Sequence, residues 1–185
     1  MTDPNPGQRA VAAYQIEDVF VIKLDCHVYP EFNPTEAWGQ IAFNHRASVD
    51  KNMLVQTRKM VGGGEDQTIV RYFVNSEVGL LKADTSIEKK EYAEEDYLAS
   101  IHISVAADYS CSLEASKDAD AMAAFSRNAV FNVWPYLREI IHAACDRLRI
   151  PRLTIEMFKP DRAGIPHTNG ELISPRAHTD VAAKK

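Results

Sequence analysis

The hydrophobic pattern of this chain changes period once, and that change sets the fold class. From about residue 14 to 113, apolar side chains recur at every second position; beyond about residue 118 they recur every three to four. A chain that forms successive strands with polar links and then one long amphipathic helix builds an antiparallel sheet with the helix on one face. The expectation is α+β: a four-stranded antiparallel sheet with a long, Pro-kinked C-terminal helix packed on one face.

The first strand spans Tyr14 to Val28. Ile16, Phe20, Ile22, Leu24 and Cys26 alternate with Gln15, Glu17, Lys23 and Asp25. The alternation fails at Val19 and Val21, where both faces become apolar. Such a strand needs cover on both sides. The chain offers one covering layer, so Val19 and Val21 are expected at an interface with another subunit. The segment 29–45 holds Pro30, Pro34 and Gly39 and reads as a long connection. The second strand is expected over about 49–61, followed by a hairpin loop at Gly62, Gly63, Gly64, Glu65 and Asp66. The third covers about 67–83, with Val70, Tyr72, Val74, Val78 and Leu80 on one face. The fourth covers about 97–113, where Ile101, Ile103 and Val105 alternate with Ser100, His102 and Ser104.

Ser116 or Asp118 can cap the helix that follows. Met122, Phe125, Ala129, Val133, Leu137, Ile140, Ile141, Ala144 and Leu148 make its apolar stripe. Pro135 predicts a kink or a restart, with Asn132 as the new cap. Residues 1–8 are expected to be a flexible N-terminal segment, 9–158 the folded domain and 159–185 a disordered tail.

Composition narrows the function classes. The chain has 185 residues, a formal net charge of −5, 45% hydrophobic and 25% charged residues, the balance of a soluble globular protein. No apolar run approaches the roughly 18–20 residues of a membrane helix. Met1 to Gln8 lacks the basic start and apolar stretch of a secretory signal. The absence of a basic block argues against a nucleic-acid partner. Cys26, Cys111 and Cys145, odd in number and widely spaced, fit reduced thiols and a cytoplasmic location. The histidines at 27, 45, 102, 142, 167 and 178 show no metal-ligand spacing, so no metal and no cofactor is expected. The glycine triplet lacks the Lys-Ser/Thr of a phosphate loop, and no Gly-x-Ser-x-Gly elbow is present. Nothing calls for an enzyme. What does need explaining is an aromatic surplus at Phe32, Trp38, Phe43, Phe131, Trp134 and Tyr136. These either fill the sheet–helix core or line an apolar groove for another polypeptide.

The run from Asn128 to Ile140, with Trp134, Pro135, Tyr136, Arg138 and Glu139 in an aromatic-Pro-Tyr-x-Arg-Glu pattern, resembles the main helix of the SecB family of export chaperones. Pro151, Leu153, Thr154 and Ile155 resemble that family's helix exit. Tyr14, Gln15 and Ile16 resemble its opening strand, and Trp38 falls where it carries a crossover tryptophan. The resemblance implies an ATP-independent holdase, a homotetramer packed as a dimer of dimers through helices and first strands. It further implies unfolded precursor polypeptides bound in apolar grooves and handed to the motor SecA for export by the Sec pathway. The chain departs from the family on its outer sheet face, where Lys23, Asp25, Ser100, His102 and Ser104 stand in place of acidic docking residues. Residues 159–185 hold no counterpart of the second C-terminal helix. An alternative within the family is a SecB-like chaperone dedicated to the antitoxin of a toxin–antitoxin system. Outside it, the remaining alternative is a small-ligand-binding or enzymatic sheet–helix domain.

Overall fold

The structure, a computed structural model, describes residues 5–33, 40–50, 52–59, 66–82, 85, 92–150, 152–153, 155 and 167–173. Helix α1 (Pro6–Ala13) precedes strands β1 (Gln15–Val28), β2 (Gln40–Val49), β3 (Leu54–Arg58), β4 (Gln67–Leu81) and β5 (Tyr97–Cys111). Helix α2 (Ala119–Leu148) and strand β6 (His167–Ile173) follow. The strands form one antiparallel sheet in the order β1-β5-β4-β2-β6, with β3 also paired to β4. The α+β arrangement is the expected one, with six strands in place of four.

The extra strands have two origins. The expected second strand, about 49–61, is the later part of a longer run along β4. Val49 stands opposite Val74 and Leu54 opposite Arg71, so β2 and β3 lie end to end on the same edge. The Asp50 N–H donates to the Phe73 carbonyl at 2.9 Å and carries the ladder into the break. β2 begins within the segment read as a connection, residues 40–45, because Pro30, Pro34 and Gly39 obscure the alternation that begins after them. The first part of that segment is a turn: Tyr29 N–H reaches Leu98 O at 3.0 Å, and Phe32 N–H closes onto Tyr29 O at 2.9 Å across Pro30. The sixth strand, β6, lies in the stretch expected to be a tail. Its residues bond through the backbone to β2, a pairing that local composition does not announce.

The first turn of α1 likewise occupies part of the expected flexible lead-in. Asn5 caps it, accepting from Gln8 N–H at 2.9 Å while Gln8 Oε1 accepts from Asn5 N–H at 3.2 Å, and Pro6 stands at the first helical position. Proline and asparagine here start a helix. Arg9 then bonds Asp118 through Nε and Nη2 at 3.1 and 3.0 Å, tying α1 to the start of α2.

Of the two candidate caps for α2, Asp118 serves: its Oδ1 accepts from Ala121 N–H at 3.0 Å. Ser116 instead donates to the Leu113 carbonyl at 2.8 Å in the preceding turn. The helix runs 30 residues through Pro135 without restarting. Pro135 removes the amide that would bond Phe131 O, and the turns on both sides stay helical because their apolar faces are buried. Arg149 ends the helix in the left-handed conformation, φ 58°.

The helix-side core joins Val70, Tyr72, Val74, Val78 and Leu80 of β4 and Ile101, Ile103, Val105, Ala107 and Tyr109 of β5 with the buried stripe of α2. On the opposite face, Arg71 and Asp108 stand side by side in register and bond in a two-pronged fork at 2.6 and 2.8 Å. Asp108 is 2% exposed, Arg58 approaches it at 3.8 Å, and the Arg71 guanidinium lies 4.8 Å over the Phe20 ring. Gly79 lets the Tyr97 ring lie across β4, since a methyl group there would run into it.

Replacing Arg71 by Leu leaves a buried carboxylate with only Arg58 near it. The expected loss is about 3–5 kcal/mol of unfolding free energy, largely recovered when Asp108 is also made Leu; urea denaturation checks both. The Asp118 carboxyl is held below its ordinary range, first by the Ala121 N–H and then by Arg9. Its contribution to stability is present above the unfolded carboxylate range and lost as pH falls through the lowered value. The stability gap between the parent and Asp118→Asn should therefore close below about pH 4, which melting curves across pH 3–7 would reveal.

Candidate functional site

The start of α2 is fixed by aromatic packing. The Phe125 ring lies 4.8 Å from Tyr14, 4.9 Å from Tyr109 and 5.7 Å from Tyr72. Burial raises all three phenols, Tyr14 and Tyr109 to about 12, so they stay protonated across working pH. Tyr14 donates to Ala115 O at 3.0 Å and Tyr72 to Met122 O at 2.9 Å. Asn132, expected as a cap, sits inside the helix and donates to Tyr109 Oη at 3.1 Å.

The six aromatics singled out in the sequence do not form one group. Trp134 is 2% exposed and packs on His45 at 5.3 Å; His45 is itself buried, with Nε2 3.0 Å from Ser76 Oγ. Phe43 is 3% exposed, on β2 opposite Leu80. These two fill the core of the protomer because their positions fall on the helix-facing side. Phe32 is half-buried against the same core. Phe131 and Tyr136 are exposed on α2, at 44% and 47%. Trp38 lies outside the described residues. In the helix motif, Pro135 and Glu139 are exposed with Tyr136, and Arg138 is half-buried.

β1 corrects the reading of a strand apolar on both sides. Its register against β5 shifts between Ile16 and Asp18 and again between Val21 and Lys23. Each bulge inserts one residue and reverses the parity beyond it. Ile16, Val19, Val21, Leu24, Cys26 and Val28 thereby stand opposite Tyr109, Ala107, Val105, Ile103, Ile101 and Ala99, all on the helix-facing side. Asp18, Phe20, Lys23, Asp25 and His27 take the other side. β1 is thus apolar on one face, and α2 leaves that face open: Ile16, Val21, Leu24 and Val28 are exposed, with Ile22 beside them in the second bulge, while Val19 is half-buried. Strict period-two counting missed this stripe, and the two shifts were hidden in an otherwise apolar run.

The outer face carries exposed polar and charged side chains along these strands. Lys23 Nζ lies 3.7 Å from Asp25, and His102 Nδ1 lies 4.0 Å from Glu77. Among the described residues, no cluster of His, Cys, Asp and Glu is placed to hold a metal ion, and no helix is long and apolar enough to cross a membrane. Burial raises the thiols of Cys26, Cys111 and Cys145, the last to about 11, away from nucleophilic use. What the arrangement offers is exposed apolar area on β1 and α2.

No protein-family model and no curated protein matches the chain. Among solved structures it is similar to the Mycobacterium tuberculosis SecB-like chaperone Rv1957, in complex with a ChAD peptide from the Rv1956 HigA1 antitoxin. The TM-score is 0.54 at 17% identity, covering 83% of this chain and 96% of that one. The fold is SecB-like.

The packing separates core from surface in a testable way. Phe125→Ala and Trp134→Ala should each lower unfolding free energy by about 3–5 kcal/mol. Phe131→Ala and Tyr136→Ala should each change it by less than about 0.5 kcal/mol. A urea series on the four variants measures the contrast.

Proposed function

We propose that this protein is an ATP-independent chaperone that holds an unfolded polypeptide by binding alone, with an antitoxin as its client class. The carrying observation is that Phe131 and Tyr136 stand exposed on α2 of a SecB-like fold, whose uncovered β1 stripe is left for a second copy. Apolar area without a catalytic constellation suits clients recognised by hydrophobicity and backbone rather than by one fixed shape. The structurally similar protein carries an antitoxin peptide in its complex, which favours that client class.

Sec-pathway export with handover to SecA is the second reading. It is weakened by the outer face of β1 and β5, where Lys23, Ser100, His102 and Ser104 stand with Asp25 in place of an acidic docking surface. The proposed assembly is a cytoplasmic homotetramer in which β1, the last strand of the sheet order, meets a second copy through Val19 and Val21. Of the groove residues, Phe131 and Tyr136 are proposed to meet a client directly. Phe32, Phe43 and Trp134 support the groove from the core side, and Trp38 belongs to the same proposal.

The test is suppression of aggregation of several chemically unfolded clients without nucleotide, followed by titration with an antitoxin-type peptide and with SecA. Suppression with tight antitoxin binding supports the first reading, and SecA binding alone would favour the second. Failure to hold any client would overturn both. Phe131→Ala with Tyr136→Ala should weaken client binding about tenfold, or about 1.4 kcal/mol, measured by fluorescence titration. Val21→Asp should reduce the mass of the assembly in light scattering, and an unchanged mass would count against the β1 interface.

A further inference from the structure

We infer that the outer edge of β2 is a strand-docking site for an extended client segment, with β6 as its resident and displaceable occupant. This rests on the chaperone reading and adds where, and in what geometry, a client is held.

β6 is the outermost strand beside β2 and pairs with it antiparallel from Gln40↔Ile173 to Arg46↔His167. Its sequence, His-Thr-Asn-Gly-Glu-Leu-Ile, is a poor strand former at its centre, since Asn169 and Gly170 both disfavour extended structure. Its pairing with β2 is made through main-chain hydrogen bonds, which any extended polypeptide can replace one for one. The register sharpens the point. Phe43 and His45, which face the helix side of β2, stand opposite Gly170 and Thr168. The resident strand thus brings a glycine to the position beside Phe43. An incoming strand with an apolar residue there adds a cross-strand pair that β6 cannot make, worth roughly 0.2–1 kcal/mol.

The exchange explains why a weak strand sits there. A bare β2 edge would present a row of unpaired amides and carbonyls, a template for aggregation. A tethered segment covers that edge between clients and competes as an intramolecular ligand. Only a client with better side-chain pairing displaces it, so the site selects segments whose apolar residues alternate in register with Ile41, Phe43 and His45.

Hydrogen exchange on the full chain tests this, with reduced, carboxamidomethylated α-lactalbumin as the permanently unfolded client. Binding is followed separately by co-elution, whose mass also distinguishes a bound client from a second copy on β2. On client binding the amides of His167–Ile173 should exchange at least tenfold faster, while those of Gln40–Arg46 stay protected. Client bound with His167–Ile173 unchanged or slower overturns the strand exchange and leaves the chaperone reading standing; binding of neither α-lactalbumin nor an antitoxin-type peptide overturns both. As a second arm, Ala42→Cys with Glu171→Cys locks β6 to β2 at a directly opposed pair. The oxidised form should bind the client at least tenfold more weakly, with recovery on reduction and no such change in the identically treated parent. Equal binding in the two forms overturns the proposal.

Discussion

One α-helix covers a strip about 10–12 Å wide, and neighbouring strands lie about 4.8 Å apart, so a single helix shields two or three strands. This sheet is five strands across in its order, and α2 lies against its central part. That mismatch governs the rest of the molecule. The central strands β4 and β5 bury their helix-facing residues completely, whereas β1 carries the same apolar pattern beyond the reach of the cover. α2 is positioned at its start by Phe125 among three tyrosines and by the link from Arg9 to its capping Asp118. A shift of the helix toward β1 would expose as much core as it covered.

A sheet larger than its cover is a liability in a monomer and a resource in a binding protein. In the function proposed above, the open stripe on β1 serves a second copy and the exposed aromatics of α2 a client. The two sheet margins differ in consequence. β1 ends the sheet with an apolar, uncovered face, while β2 is paired on its outer edge with β6. The outer face has its own organisation, anchored by the buried Arg71–Asp108 pair. It is built as a stable back to the sheet.

Much of this was legible in the chain itself. The single change of period gave the α+β class. The alternation at Val70–Leu80 and Ile101–Val105 gave the central strands, and Ser116 and Asp118, of which the second is the cap, marked the start of α2. The helix motif around Trp134-Pro135-Tyr136 pointed to the SecB-like fold when sequence comparison against families returned nothing. The candidate site was legible only in part. Phe131 and Tyr136 are exposed, whereas Phe43 and Trp134 carry the same chemistry and lie in the core. Composition cannot separate these, because an aromatic side chain serves equally in either place.

Local sequence, then, determined which segments become strands and which becomes the helix, since periodicity and capping act within a few residues of each other. The tertiary structure decided three things that depend on distant partners. It set the parity of β1, through two bulges visible only against β5. It set the pairing of β6 with β2, through hydrogen bonds indifferent to side-chain identity. It also set the division of aromatics between core and surface, through the line along which α2 crosses the sheet. Register and coverage belong to pairs of elements, and no single segment encodes them.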